Sequence, residues 1–194
     1  GSLIEAHIPV NNSPNPPSPR TIDCKFGANA VRAVSYEGVQ YVAVGDGGSI
    51  STSQDTYNWV ARVSGTTNNL RCIGYKTTAS YMSNAYPYGV IVVGGDNGTL
   101  LHSEDGGVTW NKSVTASAIF GTNSINTITS TPDYVMAAGQ NGVVAYSSDG
   151  RTWYAMASLA NTVVASTTNR YGFATSYTFN PGEPYQFWAV TTAN

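Results

Sequence analysis

Charge is the scarcest commodity in this chain. Only 10% of its 194 residues are Asp, Glu, Lys or Arg, against about 25% in an average soluble protein. Nine basic residues stand against eleven acidic ones, with a net charge of −2 and no basic run. A surface that tracks phosphates needs clustered Lys and Arg, so nucleic acid is not an expected partner. Histidine and cysteine number two each. Zinc-type sites need three or four such ligands together, so neither a metal nor a cofactor is expected. Glu, Lys and Leu, which helical bundles use heavily, are also few. No apolar run approaches the ~20 residues of a membrane span, which argues against membrane insertion. What is present instead is uncharged and polar. Ser, Thr and Asn supply 59 residues, Gly 20 and Tyr 13. The 41% hydrophobic content argues against disorder. The remaining class is an all-β chain rich in turns.

The first twenty residues read differently from the rest. Gly1-Ser2 looks like the scar of a removed tag, and Asn11 to Arg20 contains four prolines. Residues 1–20 are therefore a Pro-rich linker or an ordered arm lying on the domain. The folded body is expected over 21–194.

That body repeats. Val42-Ala43-Val44-Gly45-Asp46-Gly47-Gly48 leads through Ser53 and Asp55 to Trp59. Val92-Val93-Gly94-Gly95-Asp96-Asn97-Gly98 leads through Ser103 and Asp105 to Trp110. Met136-Ala137-Ala138-Gly139-Gln140-Asn141-Gly142 leads through Ser147 and Asp149 to Trp153. Each unit begins with an apolar run and meets a Gly/Asn turn, where φ > 0 is tolerated. A second alternating run follows, and then a Ser-x-Asp turn that ends in Trp. A further short apolar run precedes each unit, at Val31, Leu70 and Ile125. Each repeat is thus four short antiparallel strands, a to d. A degenerate fourth copy, without the Asp turn, runs from Val163 to Val190.

Ser103-Glu104-Asp105-Gly106-Gly107-Val108-Thr109-Trp110 is a full match to the Asp-box, or bacterial neuraminidase repeat. Ser147 to Trp153 is the same motif one residue shorter, and Ser53 to Trp59 is a weaker version without the glycine. Over residues 31 to 190 the chain resembles that β-propeller family. The resemblance implies about four four-stranded blades, with each box in the c–d turn. It also implies that Ser53, Asp55, Trp59, Ser103, Asp105, Trp110, Ser147, Asp149 and Trp153 are structural and lie away from the usual active site. Two outcomes stand open for the ring. It closes within one chain, with Thr21 to Phe26 supplying the last strand of the fourth unit, or it is completed by other copies. Cys24 and Cys72 are either one disulfide or, preferably, two buried thiols.

The resemblance also suggests sialidase chemistry, but the residues do not supply it. No Arg-Ile-Pro motif or supporting arginine triad is present, and only four glutamates exist. Asp46 and Asp96 hold equivalent turn positions and could face a shared groove as the carboxylate pair of a glycosidase. Their simpler role is turn formation. No catalytic residue is assigned. A rigid, uncharged face rich in Asn, Ser and Tyr suits recognition of a glycan or a cell-surface receptor. The expected ligand-binding residues are Asp46, Asp96, Asn97, Gln140, Asn141, Glu183 and Tyr185 on the b–c face. The connections 64–69 and 116–124 are expected on the same face. A second candidate is the loop 77–88, with Tyr81, Tyr86 and Tyr88. The expected setting is extracellular or on a virion surface, as in an adhesin or phage-tail protein. A self-associating structural module and a glycoside hydrolase fragment are the rival readings.

Overall fold

The computed structural model describes residues 2–5, 20–36, 40–76, 89–131, 133–156, 164–168 and 174–177. Strands β1 (Ser2–Glu5) and β2 (Arg20–Asp23) form an antiparallel pair. Three four-stranded antiparallel sheets follow, each paired in sequence order. Blade 1 comprises β3 (Val31–Tyr36), β4 (Tyr41–Gly45), β5 (Ile50–Ser53) and β6 (Val60–Arg62). Blade 2 comprises β7 (Leu70–Lys76), β8 (Val90–Gly95), β9 (Leu100–Ser103) and β10 (Asn111–Lys112). A short helix, α1 (Val114–Phe120), leads into blade 3, which comprises β11 (Ile125–Ser130), β12 (Val135–Gly139), β13 (Val144–Ser147) and β14 (Tyr154–Ala155). Strands β15 (Val164–Thr168) and β16 (Ala174–Tyr177) pair with each other. Repeated four-stranded meanders stacked face to face are β-propeller construction.

The stacking follows from strand alternation. The run Val90-Ile91-Val92-Val93 is apolar at every position because both faces of β8 are covered. Ile91 and Val93 join Val42, Val44, Ile50 and Leu101 between blades 1 and 2. Val90 and Val92 point the other way, to Val135, Ala137, Ala145 and Trp153 between blades 2 and 3. The innermost strands pass so closely that a Cβ on Gly74 of β7 would lie 2.1 Å from Cγ2 of Ile128. Helix α1 is held by its Ser113 cap, which accepts from the Ala116 N–H, and by burial of Ala116 and Phe120. The sequence reading placed 116–124 as a connection without assigning it a secondary structure, and this helix occupies most of it.

Each box indole packs toward the preceding blade: Trp110 against the blade 1–2 cluster and Trp153 within the blade 2–3 cluster. Trp59, in the first blade, packs among the described residues with Ile22, Cys24 and Phe26. Ile22, Cys24 and Phe26 of the N-terminal segment thus pack against blade 1. Strand β2 pairs with Ser2–Glu5, within the segment read as a linker or arm, rather than with a C-terminal strand among the described residues. Cys24 and Cys72 are separate buried thiols, not a disulfide. Burial pushes the Cys72 thiol up to about 12, so it stays a neutral, unreactive core group.

Candidate functional site

The b–c turns share one geometry. Gly47-Gly48, Asn97-Gly98 and Asn141-Gly142 are consecutive left-handed residues, as a type I′ hairpin turn requires. The bonds Ser49 N–H to Asp46 O, Thr99 N–H to Asp96 O and Val143 N–H to Gln140 O close them. The glycine before each turn has another cause. A Cβ on Gly45, Gly95 or Gly139 would lie 2.0–2.2 Å from the carbonyl oxygen that enters strand a, on Ala30, Asn69 or Ser124. That same carbonyl accepts from the next backbone N–H, of Asp46, Asp96 or Gln140.

The side chains on this rim are engaged with one another. Arg32 sits at an irregularity in β3 and grips Asp46 with two bonds, Nε to Oδ1 at 2.8 Å and Nη2 to Oδ2 at 3.0 Å. Arg71 holds the matching position in β7 and donates through Nε to Asp96 Oδ1. Asp96 also accepts from Asn69 Nδ2 at 3.0 Å and from Ser124 Oγ at 2.9 Å, across to blade 3. Blade 3 has a neutral version, with Asn126 at the irregular position and Gln140 Oε1 accepting from the Ser124 N–H at 3.0 Å. Asn97 donates to Asn68 and Asn141 to Asn123. The Gly47 N–H donates to Asn69 Oδ1 at 3.0 Å, tying blade 1 to the entry of blade 2.

These contacts set the charge states. The Arg32 guanidinium beside Asp46 holds its carboxyl below the usual range. Burial pushes Asp96 up, but its bonds from Arg71, Ser124 and Asn69 outweigh that and hold it low. Both carboxylates are ionised partners of arginine at neutral pH.

Beside the rim lies an open groove of about 670 Å³, between the blade 1 b–c turn and the connection from blade 1 to blade 2. Gly47, Ser49, Arg62, Ser64, Thr67 and Asn68 are among the residues that line it. Sequence reading placed the 64–69 connection on this face but gave Arg62 no role. Arg32 and Arg71 hold equivalent strand positions, yet their aspartate partners lie 14 and 25 residues away, so spacing alone does not link them. Expected site residues Tyr81, Tyr86, Tyr88, Glu183 and Tyr185 lie outside the described residues.

The opposite end carries the three Asp turns, which are alike in detail. Ser Oγ donates to Asp Oδ1 at 3.1, 2.8 and 2.8 Å in Ser53–Asp55, Ser103–Asp105 and Ser147–Asp149. Oδ1 then accepts two backbone N–H groups of its own turn: Tyr57 and Asn58, Val108 and Thr109, or Arg151 and Thr152. The indole N–H of Trp59 reaches Thr56 O and that of Trp110 reaches Gly107 O. Arg151 of the third turn donates to Glu104 of the second at 3.1 Å, joining adjacent blades. These turns bond mainly within themselves, although the buried indole N–H of Trp153 lacks the partner that Trp59 and Trp110 have.

No protein-family model and no curated protein matches the chain. Among solved structures it is similar to a GH74 enzyme from Niastella koreensis, at 20% identity over 66% of this chain and 17% of that one, with a TM-score of 0.48. It is similar to YCF48 from Cyanidioschyzon merolae at 20% identity over 71% of this chain and 47% of that one, with a TM-score of 0.49. For YCF48 bound to a D1 peptide the figures are 19%, 73%, 44% and 0.46. The chain spans less than half the length of each. The likeness is one of β-propeller fold alone.

Proposed function

We propose that this chain is a non-enzymatic binding module of Asp-box propeller type that recognises a glycan on a cell-surface receptor. Its setting in this reading is extracellular or on a virion surface. The observation that carries the reading is the open groove whose lining includes Gly47, Ser49, Arg62, Ser64, Thr67 and Asn68. Hydroxyl, amide and backbone groups on a rigid β scaffold exchange hydrogen bonds with a polyol at low desolvation cost. The state of the acidic groups also favours binding over hydrolysis. A glycosidase needs one carboxyl protonated as general acid. Asp46 and Asp96, the two carboxylates considered for that work, are both held low by arginine.

The test is a glycan array probed with the full chain, followed by titration of any hit against Thr67→Trp. Thr67 is exposed at the groove wall, so the indole blocks the groove without entering the core. Binding by the unmodified chain that falls at least tenfold in Thr67→Trp is the expected result. An empty array at millimolar glycan overturns the reading, and so does turnover of a bound glycan that is lost in Asp46→Ala or Asp96→Ala.

A further inference from the structure

Arginine is used in one way through most of this fold. Arg32, Arg71 and Arg151 each meet a carboxylate, on Asp46, Asp96 and Glu104. Arg62 meets none among the described residues. It stands on β6, the outermost strand of blade 1, opposite Ile50. The corresponding residues of blades 2 and 3 are Ser113 and Met156, whose N–H groups donate to the oxygens of Leu100 and Val144, so a cation at this position belongs to blade 1 alone. Arg62 Nε donates to Thr52 Oγ1 at 3.0 Å, which orients the half-buried side chain. The N–H groups of Nη1 and Nη2 meet no acceptor among the described residues. Arg62 also lines two recesses at once. One is the groove described above, in which it is the only ionisable lining residue. The other is a smaller recess of about 210 Å³, lined by Gln40, Thr52, Asn58 and Asp55 among others. The Asp55 carboxylate there is taken up by Ser53, Tyr57 and Asn58, and it forms no ion pair with Arg62.

We propose that the groove takes an acidic glycan, and that the Arg62 guanidinium receives the carboxylate of a uronic acid unit within it. The proposal rests on the glycan-binding reading above and names the class of glycan. A guanidinium held through Nε still presents Nη1 and Nη2 as a planar fork, and a carboxylate meets such a fork with two parallel bonds. The side chain is already oriented by Thr52, so little rotamer freedom is lost when the anion arrives. Around it the groove offers groups for ring hydroxyls. Ser49 Oγ accepts from Asn29 and keeps its own O–H to donate, and Thr67 is exposed on the wall. The number of cations selects among anionic polymers. A nucleic acid carries a phosphate at every unit and needs a cationic groove along its length. One arginine among hydroxyls fits a uronate set among neutral sugars.

The test uses the full chain titrated by calorimetry with a xylotetraose carrying one glucuronic acid and with a hyaluronan tetrasaccharide, each also as its neutral methyl ester. Variants are Arg62→Gln, Arg62→Lys and the groove blocker Thr67→Trp. The expected result is that at least one acid binds, and that its affinity falls about tenfold on esterification and about tenfold in Arg62→Gln. Thr67→Trp weakens acid and ester alike. Arg62→Lys keeps the charge and the stem but not the fork, so it decides the matter even if Arg62→Gln unfolds: the acid weakens several-fold and the ester is unchanged. Acid and ester bound equally, or acid binding that survives both Arg62 variants, overturns the carboxylate site. Neutral array hits lost in Thr67→Trp, with neither acid bound, overturn the acidic class and leave the groove reading standing, whereas an empty array overturns both. A keratan sulfate tetrasaccharide, which has no uronate, bound through Arg62 in preference to the acids overturns the choice of carboxylate.

Discussion

The first Asp turn contains a residue in the wrong conformation for its type. Thr56 has φ of 65°, where the second and third turns place Gly106 at 72° and Gly150 at 76°. A left-handed backbone costs a residue with a Cβ about 1–2 kcal/mol, and a β-branched one is the least suited to it. Thr56→Gly removes that strain but adds about 0.5–1 kcal/mol of unfolded-chain entropy. The groups the turn relies on are kept, because Trp59 donates to the backbone oxygen of residue 56, not to its side chain. The net expectation is a gain of about 0.5–1 kcal/mol, or ~1–4 °C in Tm for a chain of this size. The reciprocal change, Gly150→Thr, should cost more than about 2 kcal/mol. It imposes the same strain where a Cβ already meets Val90 Cγ1 at 2.9 Å. Thermal and urea unfolding followed by circular dichroism measure both. A lower Tm for Thr56→Gly would refute the reasoning, showing that the threonine's side-chain contacts outweigh its strain.

Trp153→Ala should cost about 3–5 kcal/mol in urea unfolding, because its indole is 2% exposed between blades 2 and 3. Gly74→Val should cost about 1–3 kcal/mol or more by overpacking, since Ile128 stands 2.1 Å from the new Cβ. Asp96→Ala should cost about 1–3 kcal/mol and more than Asp46→Ala, because Asp96 binds side chains on three residues, Arg71, Asn69 and Ser124, whereas Asp46 is held chiefly by Arg32. The Asp turns also set an acid limit. Bonds from Asn58 and Tyr57 lower the Asp55 carboxyl to about 2, below the ~3.9 of an unfolded chain. Its contribution is complete above about pH 4 and fades as pH falls toward 2. Asp105 and Asp149 are lowered in the same sense. Unfolding midpoints across pH 2–6 should therefore fall on the acid side, and Asp55→Asn should flatten that fall.

The blades were legible because their demands are local. Alternation in each strand and a type I′ turn at Asn97-Gly98 or Asn141-Gly142 are written within a few residues of sequence. Other features rest on longer reach. The aligned Gly45, Gly95 and Gly139 read as turn formers, but their need is close approach to a carbonyl 15 to 26 residues earlier. Helix α1 gave little signal, since its seven residues VTASAIF are short and partly β-branched. It forms because Phe120 and Ala116 are buried, a tertiary cause. Asp46 and Asp96 read as ligand groups because their arginine partners sit across an entire hairpin.

That engagement also indicates where binding capacity lies. The turn-face positions that recur from blade to blade are consumed by the fold: Asp46 by Arg32, Asp96 by Arg71, Gln140 by Ser124, and Asn97 and Asn141 by other asparagines. A residue type required three times over by the architecture carries little information about a ligand. The informative residues are those by which one blade departs from the others. The groove exists because the connection after blade 1 runs through Ser64, Gly65 and Thr66, where blade 2 continues into α1. In a repeat protein whose polar groups are spent on turns, recognition is expected at these breaks in the repeat.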